Sequence, residues 1–171
     1  MTSLQSALTL KPEEISSRYK VLLVEDSPAS VSLVTAYLAG SEVDLAVSGD
    51  GMQGFEAFKR AANEGTGYDF VLMDIDMPVL DGCAAIRAIR TWERLHESEP
   101  TPIAALTGMR SKDDVDKILG SGCSNYLTKP ISRIDLLQCL SRFQRATRKY
   151  FASSIDVRAV VQEPRLEGSL G

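Results

Sequence analysis

Five short runs rich in Val, Ile and Leu recur along the middle of the chain, each separated from the next by an amphipathic stretch. They are 20–25 (KVLLVE), 42–47 (EVDLAV), 68–74 (YDFVLMD), 102–107 (PIAALT) and 124–128 (SNYLT). The first, third and fourth are almost continuously apolar, as strands of a parallel sheet covered on both faces must be. Strand–helix alternation repeated five times leaves few arrangements: a parallel sheet with right-handed crossovers and helices on both faces. The expected fold class is therefore α/β, a doubly wound sheet of five parallel strands with five helices.

The stretches between the runs carry helix start and stop signals. Pro28 suits the first turn of a helix capped by Asp26 or Ser27, with Val31, Val34 and Leu38 on its inner face. Asp50 opens a second helix through Phe55 and Phe58, closed by Gly65 and Gly67, and a third runs from about Cys83 to Leu95, burying Ile86 and Ile89. Ser111 with Asp114, and Ser132 with Asp135, resemble capping boxes with an aspartate in place of Glu or Gln. They precede Val115, Ile118 and Leu119 in one case and Leu136, Leu137 and Leu140 in the other.

A chain of 171 residues suits one ordinary domain with tails. Residues 1–19 form a charge-balanced N-terminal extension, 20–143 the domain, and 144–171 an extended last helix followed by a flexible tail. The domain carries 12 basic and 18 acidic side chains, and the whole chain has a net charge of −4, so no global electrostatic case for nucleic acid exists. No apolar run approaches the ~18 residues that span a bilayer, and the first residues lack the pattern of a secretory signal. Cys83, Cys123 and Cys139 are scattered and form no CxxC pair, which predicts reduced thiols in a cytoplasmic protein.

In open sheets of this kind, ligands bind outside the carboxyl ends of the strands. The first strand ends in Glu25-Asp26, the third in Asp74 and the fourth in Thr107, and Lys129-Pro130 follows the fifth. Each alone has a plain structural reading as a cap, a turn or a loop residue. Together, in order, each at the end of a different strand, they converge on one edge. Crowded carboxylates need neutralising. Mg²⁺ does this with one or two carboxylates while keeping several waters, and Lys129 and Thr107 suit an added anion. The set fits phosphoryl transfer to an aspartate.

Four segments, VLLVEDSP (21–28), VLMDIDMPVLDG (71–82), PIAALTG (102–108) and YLTKP (126–130), resemble the receiver domain of two-component response regulators, the CheY-like, flavodoxin-like family. The resemblance runs from residue 20 to about 143 and implies the strand order 2-1-3-4-5. It implies that Asp74 is the phosphoacceptor and that Mg²⁺ is held by Glu25, Asp26, Asp74 and the backbone carbonyl of Asp76, with Asp26 the more direct acidic ligand. It further implies that Thr107 is the switch hydroxyl, Tyr126 the switch aromatic and Lys129 the ion-pairing lysine, with a cis bond common at the proline that Pro130 matches.

The implied partners are a histidine kinase or histidine phosphotransfer protein and a downstream effector, with a homodimer through the helix 4–strand 5–helix 5 face. The implied role is a signalling module, whose only chemistry is self-phosphorylation and autodephosphorylation, in a phosphorylation-dependent switch. A receiver that docks without phosphorylation is the alternative. Asp74-Ile75-Asp76 also mimics the DxD of haloacid-dehalogenase-like phosphatases, but Met77-Pro78 breaks that pattern and only Asp135 and Asp156 follow the lysine where a closing acidic pair is expected.

Glu25 stands where many members carry Asp, and Asp76 is expected to be a solvated loop side chain. Met109 is expected to screen the attacking water. Trp92 reads as a packing residue, His96 as too isolated for catalysis, and the cluster Arg142, Arg145, Arg148 and Lys149 as a solvated helix end.

Overall fold

The computed structural model describes residues 18–108 and 111–147. Residues 1–17, Met109, Arg148, Lys149 and the rest of the tail lie outside the described residues, as does the side chain of Arg145. The elements alternate without exception: β1 Tyr19–Val24, α1 Pro28–Leu38, β2 Val43–Ser48, α2 Gly51–Asn63, β3 Phe70–Asp74, α3 Gly82–Leu95, β4 Ile103–Thr107, α4 Lys112–Gly120, β5 Asn125–Thr128 and α5 Arg133–Thr147. All strand pairs are parallel and the order is β2-β1-β3-β4-β5.

Side chains alternate across a strand, and here that alternation sorts the core into two clusters. Val21, Leu23, Phe70, Leu72, Ala104 and Leu106 face Val34 and Leu38 of α1 and Leu136 and Leu140 of α5. Leu22, Val24, Val71, Met73, Ile103 and Ala105 face Phe58 of α2, Ile86 and Ile89 of α3 and Ile118 of α4. Both faces are covered, which is why the strands read as unbroken apolar runs.

Of the two candidate caps for α1, Ser27 takes the role: its Oγ accepts from Ser30 N–H, with Pro28 in the first turn. Asp26 is left exposed at the strand end. Asp50 and Asp81 cap α2 and α3. At both predicted capping boxes the serine Oγ accepts from the aspartate N–H (3.2 Å from Asp114, 3.1 Å from Asp135) and donates back to that residue's carboxylate. Aspartate is one carbon shorter than glutamate, so its carboxylate stops at the hydroxyl.

Trp92 packs edge-on against Phe58, with ring centroids 5.9 Å apart, and stacks on His96 at 4.0 Å. Lys129–Pro130 is a cis peptide bond.

Candidate functional site

The strand register sets the strand ends side by side: Val24 opposite Met73, Asp74 opposite Leu106, and Thr107 opposite Thr128. The residues at and just past these ends therefore meet along one edge. Glu25 follows β1, tied through its N–H to the Ser48 carbonyl at 3.0 Å, and is buried. Asp74 closes β3 and Thr107 closes β4, both buried. Lys129 follows β5, and its N–H donates to the Thr107 carbonyl at 2.8 Å.

The ammonium of Lys129 lies 2.8 Å from Glu25 Oε2 and 2.9 Å from Asp74 Oδ2. Glu25 Oε1 accepts from Ser27 N–H at 3.1 Å, and Asp74 Oδ1 from Asp76 N–H at 3.2 Å. Glu25, Asp26 and Asp74 each bring a carboxylate oxygen within 4.8 Å of the others. The ammonium thus pairs with two of the three carboxylates.

Burial, reinforced by the Asp74 charge, pushes the Glu25 carboxyl above its usual range, although Lys129 and the Ser27 N–H pull the other way. For Lys129 burial acts downward, but the hydrogen bonds to Glu25 and Asp74 outweigh it and the ammonium is held above its ordinary value. Glu25 Oε2 is buried, and its contact is the ion pair with the Lys129 ammonium. A buried oxygen held in an ion pair, inside a cluster of hard oxygen donors with excess negative charge, fits a small divalent cation.

Two of the sequence-selected residues contribute no carboxylate or ammonium to this cluster. Asp76 is exposed, as expected of a loop side chain. Tyr126 is half-buried against the α2/α3/α4 face of the core, opposite Ala105 of β4.

One buried acid escaped the sequence reading. Glu93 accepts from Arg90 at 2.6 Å and from Thr101 N–H at 2.7 Å. The signal was present: Ile86, Ile89 and Glu93 fall at i, i+3 and i+7, which puts the glutamate on the inner stripe. Burial also pushes the three thiols up, which keeps them protonated and poorly nucleophilic.

The sequence model of the response regulator receiver domain family matches residues 21–141. The chain belongs to that family. This receiver is similar to "Sensor protein GacS" of Pseudomonas syringae, 40% identical over 126 residues, which is 72% of this chain but only 13% of that protein. Among solved structures it is similar to the receiver domain of sensor histidine kinase PA1611 from Pseudomonas aeruginosa. The identity is 34% and the TM-score 0.63, over 73% of this chain and 96% of that one. That structure has a magnesium ion coordinated in its active-site cleft. It is also similar to a co-crystal structure of the Saccharomyces cerevisiae phosphotransfer protein Ypd1 with the receiver domain of Ssk1. There the identity is 26% and the TM-score 0.70, over 78% of this chain and 94% of the other. Among the described residues of this receiver, no helix is long and apolar enough to cross a membrane.

Proposed function

We propose that Asp74 accepts a phosphoryl group and that the receiver reports its presence through Thr107 and Tyr126. The observation that carries this is the buried Asp74 carboxylate with Lys129 Nζ 2.9 Å from Oδ2, at the end of the central strand β3. An Asp74 oxygen forms a bond to phosphorus as the donor's N–P bond (from a phosphohistidine) or acyl O–P bond (from a small acyl phosphate) breaks. The imidazole or carboxylate departs with the bonding electron pair. Lys129, already charged and fixed by two carboxylates, balances negative charge as it develops.

A magnesium ion would be held by Glu25, Asp26, Asp74 and the backbone carbonyl of Asp76, and would neutralise charge on the transferring group. The acidic cluster and the magnesium in the related PA1611 receiver support that assignment. Once Asp74 carries the phosphoryl group as an acyl phosphate it no longer offers Lys129 a free carboxylate, and the Thr107 hydroxyl and Lys129 hold the new phosphoryl oxygens. Tyr126 fills the space that Thr107 leaves.

The unit that does this is residues 20–143, in a cytoplasmic setting. The phosphodonor is a histidine kinase or histidine phosphotransfer protein; the co-crystal of a related receiver with Ypd1 supports a phosphotransfer protein. The output is a change in the α4–β5–α5 face, read by an effector protein or a second copy.

Intact mass after incubation with Mg²⁺ and acetyl phosphate tests this. Wild type gains one phosphoryl group, Asp74→Asn gains none, and EDTA added beforehand prevents the gain. Mg²⁺ binding without phosphorylation by any donor would instead indicate a receiver that docks unmodified.

A further inference from the structure

Among the described residues, helix α4 is anchored mainly at its C-terminal end. It buries a single residue, Ile118, where α1 buries two and α2 three, and Lys112 and Asp113 at its start are exposed. Its far end is fixed from several directions. Ser121 is buried and its Oγ donates to the Ile118 carbonyl at 2.6 Å, and Cys123 Sγ reaches the same oxygen at 3.3 Å. Arg90 of α3 donates its Nε to the Gly122 carbonyl at 2.8 Å. Gly122 has φ +98°, and a β-carbon there would lie 3.1 Å from Arg90 Cγ, so the arginine stem and the turn are in close contact. Arg90 is held in turn by Glu93, whose second oxygen is tied to the loop before β4 through Thr101 N–H. At the opposite end, three residues separate Thr107 from the cap Ser111.

Segments with few buried apolar contacts open at low free-energy cost, while well-anchored ones stay put. We propose that α4 is a lever pivoted at its C-terminal end on the Arg90–Gly122 contact. Movement at Thr107 is then delivered as a swing of the Lys112–Val115 turn, while Lys117–Gly120 holds its place. This rests on the switch reading above and adds where the moving surface is hinged and which side chains make the hinge. Glu93 and Arg90 are positioning residues that touch neither the phosphoryl group nor the acids around it.

Amide hydrogen exchange with Mg²⁺ alone and with Mg²⁺ and beryllofluoride, a phosphoryl mimic, tests the pivot. In wild type, exchange over Lys112–Val115 shifts by about tenfold and that over Lys117–Gly120 by less than about twofold. In the double variant Arg90→Met with Glu93→Gln, which removes the clamp without stranding a buried charge, Lys117–Gly120 exchanges about tenfold faster and the beryllofluoride response spreads along the whole helix. Equal shifts at both ends of α4 in wild type overturn the pivot, a result that needs no variant to fold. So does an unchanged C-terminal turn in the folded double variant. Phosphorylation by acetyl phosphate, followed separately by mass, distinguishes the two levels: modification with equal shifts rejects the pivot alone, and absence of both modification and beryllofluoride response rejects the switch and the pivot with it.

Discussion

Gly82 packs on Asp74 so closely that a β-carbon at position 82 would lie 2.0 Å from the Asp74 carbonyl oxygen. The Gly82 N–H also donates to the neighbouring Ile75 carbonyl at 3.1 Å, so the first residue of α3 is sewn to the backbone that carries Asp74. Gly82→Ala must therefore push apart β3 and the start of α3. The expected cost is about 3 kcal/mol of unfolding free energy, read from urea denaturation, together with weaker Mg²⁺ binding. A wild-type urea midpoint would mean that the two backbones can separate freely.

Lys129 is the only cation within ion-pair distance of Glu25 and Asp74 among the described residues. Lys129→Met leaves carboxylates facing one another with no counter-charge, at an expected loss of about 3 kcal/mol in metal-free buffer. Millimolar Mg²⁺ then restores more stability to the variant than it adds to wild type. Thermal melts with and without Mg²⁺ give the comparison, and a loss indifferent to the cation would contradict it.

Val79, 85% exposed in the loop between β3 and α3, has φ +70°, and the hydrogen bond from Leu80 N–H to the Pro78 carbonyl (2.9 Å) closes a tight turn around it. A β-branched residue is strained there. Val79→Gly loses no buried contact and should raise stability by about 1 kcal/mol, after allowing for the freer unfolded chain. Urea unfolding decides it, and a destabilised variant would show that the valine side chain is packed.

Burial, with the Asp69 and Cys139 charges behind it, holds the Tyr19 phenol well above its ordinary value. The folded protein keeps that proton at a pH where the unfolded chain has lost it. Stability from this source is complete below about pH 10, the unfolded phenol's value, and drains away as pH rises beyond it. Tyr19→Phe should therefore lose stability less steeply than wild type above about pH 10 in a series of urea midpoints. Parallel curves would remove Tyr19 from the alkaline response.

The acids, the hydroxyl and the lysine were legible because a parallel strand buried on both faces must be apolar until it ends. The first polar residue after each run is therefore a positional marker. Strand starts are less sharply marked: Tyr68 reads as strand but precedes β3, since its half-buried ring satisfies the same apolar pattern from a loop. The choice between Asp26 and Ser27 as cap stayed open for a similar reason, since both side chains suit the role and only the backbone's path separates them. The Arg90–Gly122 contact joins residues distant in the sequence, which no local pattern encodes, and the Val79 turn puts a β-branched residue at a positive φ that its own preference argues against.

Among the described residues, the two apolar clusters on either side of the sheet share no side chain. The sheet thus acts as a partition between two independently editable halves. A substitution under α1 or α5 is felt by α2, α3 and α4 chiefly through a shift of the strands between them, the same strands that carry Glu25, Asp74 and Thr107 at their ends.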